Sequence, residues 1–150
     1  MKTFGINLPT DADPVSIDNW KNMLTSTNNG SFNPIPASGG PTITGLSSVK
    51  GTYQILGGVC MFRIYILATS VVFAAGSYQT LLLPLKGDAL VNQGPISIPV
   101  TQNGVALSQF PFLGWLTLLV NNSVTGLYWT NGASALSCPN GLATYGWYFI

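Results

Sequence analysis

The sequence predicts an all-β fold, a single antiparallel β-sandwich of jelly-roll-like type, preceded by an extended N-terminal arm with a short helix. Three observations carry that expectation. Apolar residues make up 47% of the chain and fall in short runs rich in β-branched and aromatic types. Seventeen Gly and ten Pro punctuate those runs, supplying the positive or preset φ angles that turns need. No alternation of strands with long amphipathic helices occurs, so the βαβ unit of a parallel sheet has no place. The 150 residues suit one domain, which at that length buries about 68–70% of the surface its unfolded chain exposes.

Residues 1–30 read as an arm. Asp13 can cap a helix and Pro14 suits its first position, after which Ile17, Trp20 and Leu24 recur on one face. An isolated helix of about eleven residues is marginal in water. Its apolar face must therefore be buried, either as an anchor on another subunit or protein, or over an open end of the chain's own sandwich. The polar run at 25–30 ends the helix. Residues 31–40, with Pro34, Pro36 and Gly39-Gly40, read as an extended linker or edge that opens a β-domain of residues 31–150. No secretory signal is legible, because Lys2 is followed by Phe4, Gly5, Asn7, Pro9, Asp11 and Asp13 rather than by an apolar run.

The strongest local signal is a hairpin. Two β-rich runs, 51–56 and 59–66, are joined by Gly57-Gly58, whose glycines can take the positive φ of a primed two-residue turn. In the second strand Cys60, Phe62, Ile64 and Ile66 form one side, and Val59, Met61, Arg63 and Tyr65 the other. The first side is core. The second is too apolar for water and reads as an oligomer interface, in which Arg63 needs a polar partner or a rim position. Further strands are expected at 78–83, 96–100, 105–107, 115–120, 124–129 and 144–150. Gly94-Pro95, Asn103-Gly104, Asn121-Asn122-Ser123 and Asn131-Gly132 supply turns between them. The closing Trp147-Tyr148-Phe149-Ile150 must be packed, as a strand or against another subunit. The apolar stretch 59–75 is close to the shortest that spans a bilayer, but Arg63 and Thr69-Ser70 interrupt it and its residue types favour strands.

Chemistry is scarce. Charged residues are 6% of the chain, with five Lys and Arg, four Asp, and neither Glu nor His. General acid–base catalysis and the familiar nucleophile triads lean on the missing types, so no enzyme is expected. The few cations, at Lys2, Lys21, Lys50, Arg63 and Lys86, are scattered along the chain, which argues against nucleic acid as a partner. Two distant cysteines make no zinc pattern, and the Gly pairs lack the Lys-Ser/Thr of a phosphate loop. No cofactor or metal is expected. Cys60 and Cys138 read as free thiols, the first a small buried hydrophobe and the second in a Ser-Cys-Pro-Asn turn. Asp88, between Lys86-Gly87 and Ala89, reads as a solvated turn residue. Among the aromatics, Tyr128, Trp129, Tyr145, Trp147 and Tyr148 are of the types that stack on sugar rings, or fill a core or subunit interface.

Phe32-Asn33-Pro34, followed after a Gly/Ser/Thr-rich interval by Gly51-Thr52-Tyr53-Gln54-Ile55-Leu56-Gly57-Gly58-Val59-Cys60-Met61-Phe62, resembles a pattern common in tail-fibre and appendage proteins of tailed bacteriophages. Gly76-Ser77-Tyr78-Gln79-Thr80-Leu81-Leu82-Leu83-Pro84 is similar to the next strand of that family. The resemblance covers about residues 31–84. It implies a non-enzymatic β-sandwich, often trimeric, exposed at the virion surface and used in attachment or capsid decoration. The implied partners are further copies of the chain, other virion proteins and a host-surface glycan, and the implied site of synthesis is the host cytoplasm. The alternative expectation is a carbohydrate-binding β-sandwich module that uses Tyr128, Trp129 and Trp147.

Overall fold

The computed structural model describes residues 2–3, 6–7, 28–56, 58–76, 78–89, 96–102, 112–120, 125–129 and 134–150. The fold is all-β and its strand pairings are antiparallel. In chain order the strands are β1 (Lys2–Thr3), β2 (Ile6–Asn7), β3 (Asn28–Phe32), β4 (Thr42–Thr44), β5 (Ser48–Leu56), β6 (Val59–Leu67), β7 (Ser70–Phe73), β8 (Gln79–Leu82), β9 (Ile96–Gln102), β10 (Phe112–Val120), β11 (Thr125–Trp129), β12 (Leu136–Pro139) and β13 (Leu142–Phe149). β1 and β2 pair with each other. The body is a curled eight-stranded sheet, β3-β5-β6-β13-β9-β10-β11-β8, with a three-stranded sheet, β12-β7-β4. The expected helix with Ile17, Trp20 and Leu24, the strand at 105–107 and the four Asn/Gly/Pro turns lie outside the described residues.

The hairpin forms as its sequence predicts. Leu56 faces Val59 across the two-residue connection, and Gly58 has φ 83°. Cys60, Phe62, Ile64 and Ile66 are buried, and Met61 and Arg63 exposed. The apolar stretch 59–75 is not one element. It is β6 and β7, the two halves of a long strand that bends at Ala68-Thr69. The strands on either side bend at the same level. β4 and β5 flank Gly45, and β12 and β13 flank Asn140-Gly141. Bonds from Ser47 N to Leu67 O (2.8 Å), Thr69 N to Gly45 O (3.2 Å) and Asn140 N to Thr69 O (3.1 Å) carry the ladder around this corner. Left-handed residues make the bend: Gly45 (φ 60°), Asn140 (φ 63°) and Gly141 (φ 87°). Cys138, expected in a turn, instead lies buried in β12, because Leu136 and Cys138 alternate inward before the bend.

A run read as polar and turn-prone belongs to the sheet, and the extended segment after it is bonded to the far edge strand. Asn28–Phe32 is an edge strand on β5, so residues 28–30 lie in the β-domain rather than in the arm. Small residues face large rings there. A Cβ on Gly30 would come within 2.6 Å of the Tyr53 ring, and one on Gly51 within 2.7 Å of the Phe32 ring. Each aromatic thus covers a glycine of the neighbouring strand. Beyond β3, Pro34 O and Gly39 O accept bonds from Leu82 N (2.8 Å) and Thr80 N (2.9 Å) of β8. Pro34 offers an acceptor without a donor, which suits a seam between the two edges of the curled sheet.

The core fills the inside of the curl. Ile64 and Ile66 from β6, Val71 and Phe73 from β7, Leu81 from β8, Val100 from β9, Leu116 from β10, Leu127 from β11 and Leu142 from β13 are fully buried in one cluster. Residues 83–88 seal one end. Leu83 N donates to Thr125 O (3.2 Å), Gly87 N to Thr125 Oγ1 (2.8 Å) and Asp88 N to Phe149 O (2.9 Å). Asp88 is thereby half-buried against the end of β13 rather than in a free turn. The Tyr148 hydroxyl accepts from Leu85 N (3.2 Å) and donates to Leu85 O (3.0 Å).

Candidate functional site

The titratable groups with displaced pKa values lie inside the curl. Burial pushes the Cys138 thiol up to about 12, and burial raises Cys60 despite a hydrogen bond with Tyr148 that lowers it. Burial, then Cys60, raises Tyr148. Both cysteines are free and buried. A thiol held protonated in an apolar interior is inert, because the thiolate is the reactive form. Cys60 and Tyr148 face the core, and the candidate functional surface is the other side of the strands that carry them.

That surface is the outward face of β3, β5, β6 and β13, whose composition follows from register. The hairpin end carries the row Leu56, Val59, Phe149, with Ile150 bonded through its N to Gly58 O (2.9 Å). Next come Asn29, Gln54, Met61 and Trp147, then Ser31, Thr52, Arg63 and Tyr145, then Lys50, Tyr65 and Ala143 with Thr101 of β9. The face grades from apolar at the hairpin to polar and cationic near the corner. Trp147 is 51% exposed and Tyr145 63%. Trp147 and Phe149 meet edge to face, their ring centroids 5.5 Å apart, an arrangement that holds both rings without burying them.

Val59, Met61, Arg63 and Tyr65 stand in a line on this face, as their alternation predicts. Tyr128, Trp129 and Trp147 are not brought together. Trp147 is on β13, whereas Tyr128 and Trp129 are on β11, three places away in the sheet order. Trp129 is partly buried against the core and donates from Nε1 to Ser134 O (3.1 Å). Tyr128 pairs with Tyr78 at 6.0 Å. Sequence reasoning missed Leu56 and Phe149 as members of the hairpin's outer face, and named Tyr145 as an aromatic of the stacking type without placing it there. The alternation Tyr145, Trp147, Phe149 held the signal, but its register against β6 was needed to place it.

Three hollows meet at Arg63. One of about 440 Å³ is lined by Arg63, Thr101, Ala143, Thr144 and Tyr145. Another of about 360 Å³ includes Asn29, Thr52, Gln54, Met61 and Arg63, and a third of about 170 Å³ includes Lys50, Thr52, Arg63 and Tyr65. Among the described residues no cluster of His, Cys, Asp or Glu is grouped to hold a metal ion, and no helix is long and apolar enough to cross a membrane. Compared with known proteins, the chain matches no family model, no curated protein and no solved structure.

Proposed function

We propose that the chain is a non-enzymatic structural subunit of a virus particle, of the phage fibre, appendage or capsid-decoration kind, assembling as a homo-oligomer at the virion surface. One observation carries the assembly half of this reading. Leu56, Val59, Met61, Trp147 and Phe149 form a continuous apolar patch at the hairpin end of the outer face, three of them more than a third exposed alongside Trp147. A contiguous patch of this kind, edged by polar residues, marks an interface, and obligate interfaces resemble a domain core cut in half. Arg63 then falls at the rim, where its charge stays in water. The virion half rests on the resemblance of residues 31–84 to the phage appendage pattern. The jelly-roll-like description belongs to the same proposal, supported by the way the small sheet shares one core with the large one. So does the anchoring of the chain to the particle by its N-terminal arm through Ile17, Trp20 and Leu24.

Sedimentation velocity of the full chain at micromolar concentration tests assembly. A closed oligomer is expected, a trimer by the resemblance, and Trp147→Ser with Phe149→Ser should return it to monomer. A wild-type monomer overturns the assembly reading. Absence of the chain from purified particles of its source overturns the virion placement.

A further inference from the structure

The half of the outer face nearer the corner has a chemistry that self-association does not use. Lys50 and Arg63 both point outward here, and the outward positions of β5, β6 and β13 contain no carboxylate. Around them stand neutral hydrogen-bonding groups, Asn29, Thr52, Gln54 and Thr101, and the rings of Tyr65 and Tyr145. The largest hollow has a covalent cause. β9 pairs with β13 only from Leu142 opposite Gln102 to Thr144 opposite Val100. The next position on β9 is Pro99, which has no N–H to continue the ladder. Thr144 Oγ1 bonds Pro99 O (2.8 Å) and Thr101 Oγ1 bonds Ala143 O (3.2 Å), so the hydroxyls close the end of the ladder and a crevice of about 440 Å³ opens beside Tyr145. Both larger hollows fall within the size range of small-ligand sites, about 300–1,000 Å³.

We propose that this groove binds a carboxylated saccharide, with Arg63 pairing the carboxylate of one sugar unit and Tyr145 stacking on a ring. The guanidinium presents a planar fork matched to a carboxylate. Tyr145, 63% exposed, offers a flat face with a polar tip. The Asn, Gln and Thr side chains on either side match the alternating hydroxyls of a sugar rather than an apolar ligand. Two cations are too few to track a phosphate backbone, which sets nucleic acid aside. From β3 to β9 the groove crosses four strand spacings, roughly 19 Å, enough for a short oligosaccharide. The inference rests on the surface-exposed half of the proposed function and is independent of self-association, which uses the apolar half.

Titration calorimetry of the full chain with tetragalacturonate and with sialyllactose tests it. Saturable binding of at least one is expected, weakened tenfold or more by Arg63→Gln and by Tyr145→Ala, by methyl esterification of the sugar, and by raising the salt concentration. Tyr78→Ala, on the β8 side of the sheet, should leave it unchanged. The inference is overturned if neither saccharide binds at millimolar concentration, if Arg63→Gln binds as well as wild type, or if hexa-aspartate binds as tightly, which would make the site a reader of acidic peptides. Sedimentation of the same samples separates the two readings. An oligomer that binds no saccharide overturns this inference alone, and a monomer that binds overturns self-association alone.

Discussion

Replacing Tyr148 by Phe removes one oxygen from the interior and nothing else, which makes its cost calculable. The side chain is fully buried, its ring 6.1 Å from that of Phe62, and Phe retains that packing. The oxygen satisfies both backbone groups of Leu85, accepting from N at 3.2 Å and receiving at O at 3.0 Å. Without it the donor and the acceptor of Leu85 lose their partner, as does the buried Cys60 thiol, a weak donor whose loss adds little, and each backbone loss costs about 1–3 kcal/mol when sealed from water. Leu85 is half-buried, so water relieves part of this and the low end applies to each group, about 2 kcal/mol in all. For a chain of this length that is a fall in Tm of about 4–8 °C. Calorimetric melting gives the stability change, and hydrogen exchange at the Leu85 amide gives its location, since that proton should lose protection before the rest of the sheet. A change below about 0.5 kcal/mol with the Leu85 amide still protected would refute the argument that this hydroxyl pins residues 83–88 across the end of the curl.

Three further outcomes are expected. Gly141→Ala should destabilise the fold by about 2 kcal/mol or more, since φ 87° is unfavourable for Ala and its Cβ would strike the Ile66 carbonyl. Gly58→Ala, at φ 83° with nothing within 4 Å of the Cβ, should cost only about 1–2 kcal/mol in denaturant melts. The Cys138 thiol ionises near 9.0 when unfolded and at about 12 in the fold, so rising pH deprotonates the unfolded chain first. Stability contributed by this group is complete below pH 9.0 and is lost toward about 12, and a thiol reagent at neutral pH should label Cys138 only as fast as the chain unfolds. Removing residues 1–27 keeps β3 and should leave a cooperatively melting β-domain, whereas removal through Phe32 strips the edge strand and the ring over Gly51 and should lower Tm or abolish folding.

Much of the β architecture is local and so was legible. The hairpin follows from two β-rich runs around Gly57-Gly58, and the burial of Cys60, Phe62, Ile64 and Ile66 follows from a period of two, because both depend on residues close in sequence. β3 was not legible. Asn28–Phe32 is polar and turn-prone by composition, and becomes a strand because Tyr53 and Phe32 have glycines opposite them across the β3–β5 pair. Of the candidate site, Val59, Met61, Arg63 and Tyr65 could be aligned from their own strand, but the groove could not, since Lys50, Thr52, Thr101 and Tyr145 meet Arg63 only through pairings distant in the chain.

The amino-acid sequence by itself determined the class, the hairpin, the free thiols and the scarcity of ionisable groups, all consequences of composition and of interactions a few residues long. Tertiary structure alone decided the corner. Thr69-Ser70 interrupts the apolar run 59–75 without marking a bend; the chain bends there because Gly45 and Asn140-Gly141 on the two flanking strands turn at the same level and three strands must turn together. Tertiary structure also chose the sides of β13, whose residues are large on both faces. Registration with β6 and β9 sends Tyr148 inward and leaves Tyr145, Trp147 and Phe149 outside. A strand's alternation says which residues share a face, and only its neighbours say which face is wet.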